Sequence, residues 1–299
     1  MMACRRMLDI TLCVAAFFAS AVLSQESNVT WTEIYYAVGE VPARRQLHTA
    51  VVTPAGRMWI FGGYESFGAF TYMDDTWYID LQVSVDSWGQ LWPGTKPAAR
   101  GRHQSVFAPT GKLWIHGGED NSNSVLSDLW YLQTEDLSSP TWTEVSAGNP
   151  QVRKDHSAVL TASGKMFICF GDDGSSRLVS LHYIDLEEQS PWWTMVTPCC
   201  NQPPSARISR RAQLSDAGRM WVFGGYGDNR FWNDTWWIDV EDGSPNWNEV
   251  ATGTAPDARA DAATVLTSTG RFWVFGGSLS GSILESDLWY MDVEVRLTQ

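Results

Sequence analysis

Five arginines each stand three residues after a proline: Pro42/Arg45, Pro97/Arg100, Pro150/Arg153, Pro204/Arg207 and Pro256/Arg259. A guanidinium is a planar fork of N–H donors that matches carboxylate or sulfate oxygens. Five of them at near-equal intervals describe a candidate anion-binding set. Three histidines, His48, His103 and His156, follow the first three arginines by three residues, while Arg210 and Ala262 hold that place in the last two. Three converging imidazoles would hold a metal ion. The plainer reading, preferred here, is that each histidine satisfies neighbouring backbone groups, so no metal and no cofactor is expected. Four aspartates, Asp75, Asp128, Asp234 and Asp287, recur in step with the arginines, and pairing with them is the competing role for most of the set. Arg153 stands apart, because Ser180 replaces the aspartate in its own repeat.

The elements that carry these residues repeat. The segment Gly56–Gly63 returns at Gly111–Gly118, Gly164–Gly171, Gly218–Gly225 and Gly270–Gly277, with first glycines 52 to 55 residues apart. Each unit reads as four short apolar pieces: one such as His48–Val52, a second ending at the glycine pair, a third such as Asp75–Asp80, and a fourth opening on Trp. Four strands per unit of about 50 residues make a propeller blade. The fifth unit stops after its third strand, whereas Trp31-Thr32-Glu33-Ile34 reads as a fourth strand without its first three. Pairing the two ends would close the ring and cover an open sheet edge. The expectation is one all-β, five-bladed propeller over 25–299.

These residues resemble the kelch repeat family: the glycine pair after an apolar strand, an aromatic further on, and a Trp opening the last strand. The resemblance spans essentially the whole of 25–299. It implies a propeller of the galactose oxidase/kelch type, a family whose rings more often have six or seven blades. The copper site of galactose oxidase, with His and Tyr ligands and a Tyr joined to a Cys, finds no matching set of residues here.

Composition bounds the partner. The 21 Lys+Arg against 34 Asp+Glu give a net charge of −13, which repels phosphate backbones and anionic bilayers and argues against nucleic acid. Residues 1–24 place Arg5 and Arg6 before the mostly apolar run Ile10–Leu23 and end on small residues, the layout of a secretory signal peptide. That run is too short to span a bilayer, so no membrane insertion is expected after its removal. The expected location is extracellular, or periplasmic in a bacterium. Of five cysteines, Cys169, Cys199 and Cys200 lie beyond the signal, and a bridge from Cys169 to either of the others competes with a free thiol.

Most of the 17 tryptophans sit at repeat positions and serve packing. Trp92 and Trp232 fall outside the pattern, on connections that emerge on the same face as the arginines, and are candidate stacking surfaces. The favoured function is a secreted, non-catalytic propeller that binds a protein or glycan through its loop face. The alternative is a sugar-processing enzyme, sialate-epimerase-like or oxidase-like, with His48, His103 and His156 at the channel mouth. A third reading is an oligomerising matrix module.

Overall fold

The computed structural model describes residues 39–65, 71–82, 87–135, 137–148, 150–197, 203–208, 211–243, 245–251, 253–280 and 283–293. Within them every regular element is a β-strand, and the strands form five consecutive antiparallel blade sheets in sequence order, with a separate two-stranded ribbon of Tyr64–Glu65 and Thr71–Tyr72 beside blade one. Blade one is Thr49–Val52, Arg57–Phe61, Thr76–Asp80 and Gly89–Leu91. Blade two is Gln104–Phe107, Lys112–Asp120, Val125–Gln133 and Trp142–Val145. Blade three is Ser157–Leu160, Lys165–Cys169, Leu181–Asp185 and Thr194–Val196. Blade four is Ala212–Leu214, Arg219–Gly227, Arg230–Asp239 and Asn248–Glu249. Blade five shows Ala263–Leu266, Arg271–Ser280 and Ile283–Asp292. Its proposed closing strand, Trp31 to Ile34, lies outside the described residues, as does the signal segment.

Alternation along each strand sends apolar side chains to both faces of a blade, and the faces of neighbouring blades meet in four apolar layers. Trp59 and Phe61 of blade one pack against Leu113, Ile115, Trp130 and Trp142 of blade two. Trp114 and Leu129 then meet Met166, Ile168 and Trp193. Phe167, Cys169 and Phe170 meet Met220, Val222 and Trp247, and Trp221 and Phe223 meet Phe272 and Val274. Trp59, Trp114, Trp142 and Trp247 are fully buried, each a burial of a few kcal/mol, about 2–3 by area. The outward face of blade five differs. Phe275 and Leu288 stand 51% and 61% exposed, where Phe61 and Leu129, their counterparts, are 1% exposed.

The glycine pair does not end the second strand in blades two, four and five, contrary to the reading from sequence. The strand bulges there and runs on to Asp120, Gly227 and Ser280. The pair is needed because the next blade's backbone closes on it. Gly117 has φ +64, and a Cβ there would lie 2.6 Å from the Arg153 carbonyl oxygen. Gly118 N–H donates to that same oxygen at 3.0 Å. Equivalent bonds run from Gly63 to Arg100, Gly171 to Arg207 and Gly225 to Arg259. Arg100, Arg153, Arg207 and Arg259 therefore also anchor the preceding blade through their own carbonyls.

Candidate functional site

Each arginine stands on the segment that leads into its blade's first strand, and its side chain turns into its own blade. There the five guanidiniums are held alike. Nε donates to the carbonyl two residues earlier, from Arg45 to Ala43, Arg100 to Ala98, Arg153 to Gln151, Arg207 to Ser205 and Arg259 to Asp257. Nη1 donates to the carbonyl seventeen residues on, at Gly62, Gly117, Phe170, Gly224 and Gly276. In four blades the fork then closes on the repeat aspartate. Arg100 meets Asp128 at 2.5 and 2.7 Å, Arg45 meets Asp75 at 2.6 and 2.8 Å, and Arg207 meets Asp234 at 2.6 and 2.9 Å. Arg259 makes the same fork with Asp287.

The same four carboxylates accept an indole N–H from the tryptophan two residues on: Trp77, Trp130, Trp236 and Trp289. Burial alone would raise the carboxyls of Asp75 and Asp128, but the hydrogen bonds from Arg45 and Arg100 outweigh it and hold both below the ordinary value. Arg45, Arg100, Arg207 and Arg259 thus take the pairing role that was weighed against anion binding. Their donors are used inside the blade, and Arg100, Arg207 and Arg259 are fully buried.

Blade three breaks the pattern twice. Ser180 stands where the carboxylate should be, and His182 stands where the indole should be. Arg153 is 0% exposed, yet its partners are all neutral. Nη2 donates to Ser180 Oγ at 3.0 Å and to His182 Nδ1 at 3.3 Å, and Nη1 reaches the Ser180 carbonyl at 3.4 Å. Burial without a counter-ion lowers the guanidinium to about 10. The four aspartates elsewhere keep 13–34% of their side-chain surface, so solvent reaches the carboxylate position in the sibling blades.

The histidines do not converge on a metal. His103 Nε2 pairs with Thr49 Oγ1 of the preceding blade at 2.8 Å, and His156 Nε2 pairs with His116 Nδ1 of blade two at 3.2 Å. Both contacts cross a blade boundary. Among the described residues no group of three His, Cys, Asp or Glu side chains is placed to hold a metal ion. Burial keeps all of them neutral, lowering His48 to about 4, His116 to about 3, and His103 and His156 well below the ordinary value.

Cys169 is a free, buried thiol pushed up to about 12 by burial, so the weighed bridge is not made from it; Cys199 and Cys200 lie outside the described residues. Trp92 is 75% exposed and offers an open ring. Trp232 is partly buried, with the guanidiniums of Arg230 and Arg207 over its ring at 3.5 and 4.9 Å, so it already stacks within the chain.

One polar cluster escaped the reading of the sequence. The Tyr72 hydroxyl donates to Glu119 at 2.7 Å, Lys154 pairs with the other oxygen of Glu119, and Arg102 reaches Glu119 at 3.4 Å and Asp155 at 2.6 Å. It links blades one, two and three near their inner strands. Arg102 and Asp155 hold left-handed backbone, φ 61 and 53, immediately before His103 and His156. Their position in the repeat was visible in the sequence, but their partners were not, since those come from other blades.

A family model for the KLHDC2/KLHL20/DRC7 Kelch-repeats domain matches residues 19–211 and 136–297. The chain belongs to the kelch-repeat family. Adagio-like protein 3 of Oryza sativa subsp. japonica is 29% identical over 230 residues, covering 74% of this chain and 36% of that protein. Adagio protein 3 of Arabidopsis thaliana is 25% identical over 275 residues, covering 88% of this chain and 43% of that protein. This kelch chain therefore spans less than half the length of either relative. The solved structure titled "Structure of YjhT" shares the fold, with a TM-score of 0.65 at 15% identity over 85% of this chain and 83% of that one.

Proposed function

We propose that this kelch propeller is a secreted, non-catalytic scaffold that binds a partner protein through its loop face, with an acidic group of the partner seated at Arg153. The observation that carries the reading is the missing carboxylate of blade three. Four sibling blades define what the Arg153 fork is shaped to hold, and the chain supplies serine instead. A buried cation with neutral partners is costly, and a carboxylate from outside offsets that cost where water cannot do so fully. Open Trp92 adds an aromatic surface of the kind that protein partners use. The leader-like pattern of residues 1–24 supports secretion.

Binding rather than catalysis is supported by His103 and His156, which are buried, neutral and engaged in contacts between blades. The test is an array of acidic peptides, with each Asp or Glu replaced in turn by Asn or Gln, probed with the wild type and Ser180→Asp. Binding that needs one acidic residue and drops at least tenfold in Ser180→Asp is expected. Binding indifferent to both changes would overturn the assignment, and binding confined to acidic glycans on a parallel array would replace the protein partner by a glycan.

A further inference from the structure

We infer that His182 couples the binding of a carboxylate at Arg153 to the uptake of one proton, so that this propeller holds its acidic ligand more tightly in mildly acidic medium. The inference rests on the reading of Arg153 given above and adds a specificity-determining residue to it.

In the other blades the carboxylate takes two donors besides the backbone: the arginine fork and the indole N–H two residues along the third strand. Blade three keeps the fork and replaces the indole by imidazole at the same strand position. In the unliganded site His182 Nδ1 is an acceptor, facing Arg153 Nη2 at 3.3 Å. An imidazole accepting there cannot also donate from Nδ1, so the neutral ring with that nitrogen bare is the wrong partner for a carboxylate. A protonated ring carries N–H on both nitrogens and reproduces the donor that Trp130 supplies in blade two. Unlike the neutral Nδ1–H tautomer, which offers the same donor, it adds a positive charge for the carboxylate that Trp130 cannot supply. Protonation also breaks the bond from Arg153 and sets two cations side by side, an arrangement that an intervening carboxylate relieves. Anion and proton therefore each favour the other, and the coupling is reciprocal.

Among the described residues, Arg153 is the charged group that acts on His182. Across the sheet His182 lies opposite Ile168 on the second strand and Met195 on the fourth. Arg153 faces it from the segment before the first strand, and Ser180 immediately precedes the strand that carries His182. From blade two His116 acts on the same region and stays neutral, held down to about 3 mainly by burial. The Cys169 thiol, beside Arg153 on the second strand, is neutral as well. Burial and the charge of Arg153 lower His182 to about 4 in the free site, so at neutral pH it is bare and poised to change only when the charge of Arg153 is matched.

The probe is acetate, titrated at pH 7.5 and pH 5.5 at constant ionic strength with chloride, by calorimetry and by the His182 ring proton signals. If the bound ring titrates near 6.5, acetate binds about tenfold tighter at pH 5.5 than at pH 7.5. The His182 signal then titrates at higher pH with acetate than without. His182→Trp, which restores the donor of the sibling blades, is expected to bind acetate equally at both pH values. Equal affinity at both pH values in the wild type overturns proton coupling while leaving the anion site standing. No acetate binding at either pH, or binding unchanged in Ser180→Asp, overturns the anion site itself and the coupling with it.

Discussion

Arg153 Nη2 donates to Ser180 Oγ at 3.0 Å in the place where Arg100 grips both oxygens of Asp128 at 2.5 and 2.7 Å. One residue difference between equivalent positions turns a closed structural pair into a buried cation with neutral partners. That contrast separates the arginine without a carboxylate partner from the four that have one.

Supplying the missing carboxylate from within the chain is expected to stabilise the fold. Ser180→Asp gives Arg153 the fork its siblings have and should raise the melting temperature by several degrees, about 1–3 kcal/mol in a chain of this size. Ser180→Ala is expected to change stability by roughly 1 kcal/mol or less, since one hydrogen bond is lost. Calorimetric melting of the two variants beside the wild type checks both. A destabilised Ser180→Asp would mean that the site cannot take a carboxylate in this geometry.

Removing a carboxylate elsewhere acts in the opposite direction. Asp128→Ala strips the partner from a fully buried guanidinium and also from the Trp130 indole, and is expected to cost about 3–5 kcal/mol. Denaturant unfolding measures it. A loss as small as that of Ser180→Ala would contradict the structural role given to the paired arginines.

Acid should weaken the fold before it reaches the carboxylates. His103, His116 and His156 are buried neutral, with folded values depressed below the unfolded value near 6.5, so the unfolded chain takes up their protons first. Stability is full above about pH 6.5 and falls below it by about 1.4 kcal/mol per pH unit for each such histidine. The depressed carboxyls of Asp75 and Asp128 add a second loss as pH drops through their lowered folded values. Melting temperature followed from pH 8 to pH 4.5 is expected to decline from about pH 6.5. His156→Gln is expected to shorten the slope; a flat profile down to pH 5 would contradict the neutral burial of these rings.

The glycine pair is tested by Gly117→Ala. The added Cβ would meet the Arg153 carbonyl oxygen at 2.6 Å in a left-handed backbone, and a loss of roughly 2 kcal/mol or more is expected. Trp92→Ala, on an open ring, should leave stability within about 0.5 kcal/mol of the wild type.

The blade repeat was legible because its signals are local. Gly56-Arg57 turns, alternating apolar strands and the Pro-x-x-Arg approach each act within one unit. The pairing of Arg100 with Asp128 was half legible, since both recur in step and only contact geometry was missing. That the second strand runs through the glycine pair was hidden, because a positive φ at Gly117 reads as a stop until the Arg153 carbonyl of the next blade is seen to need it. The Tyr72–Glu119–Lys154 cluster was hidden for the same reason, as its members meet only when three blades stand side by side. Phe170 shows the limit from the other side: it takes the left-handed place of a glycine, φ 60, and fills space against Trp247 at 5.7 Å, which no pattern in blade three announced.

The most direct test of recognition at Arg153 is the affinity of one acidic peptide, chosen from the array, for the wild type and for Ser180→Asp, read by fluorescence anisotropy at pH 6. An external carboxylate seated at Arg153 predicts tight binding to the wild type and at least a tenfold loss in a Ser180→Asp variant that melts no lower. Equal affinity for the two proteins would contradict it, and would place the binding surface of this propeller elsewhere on the loop face.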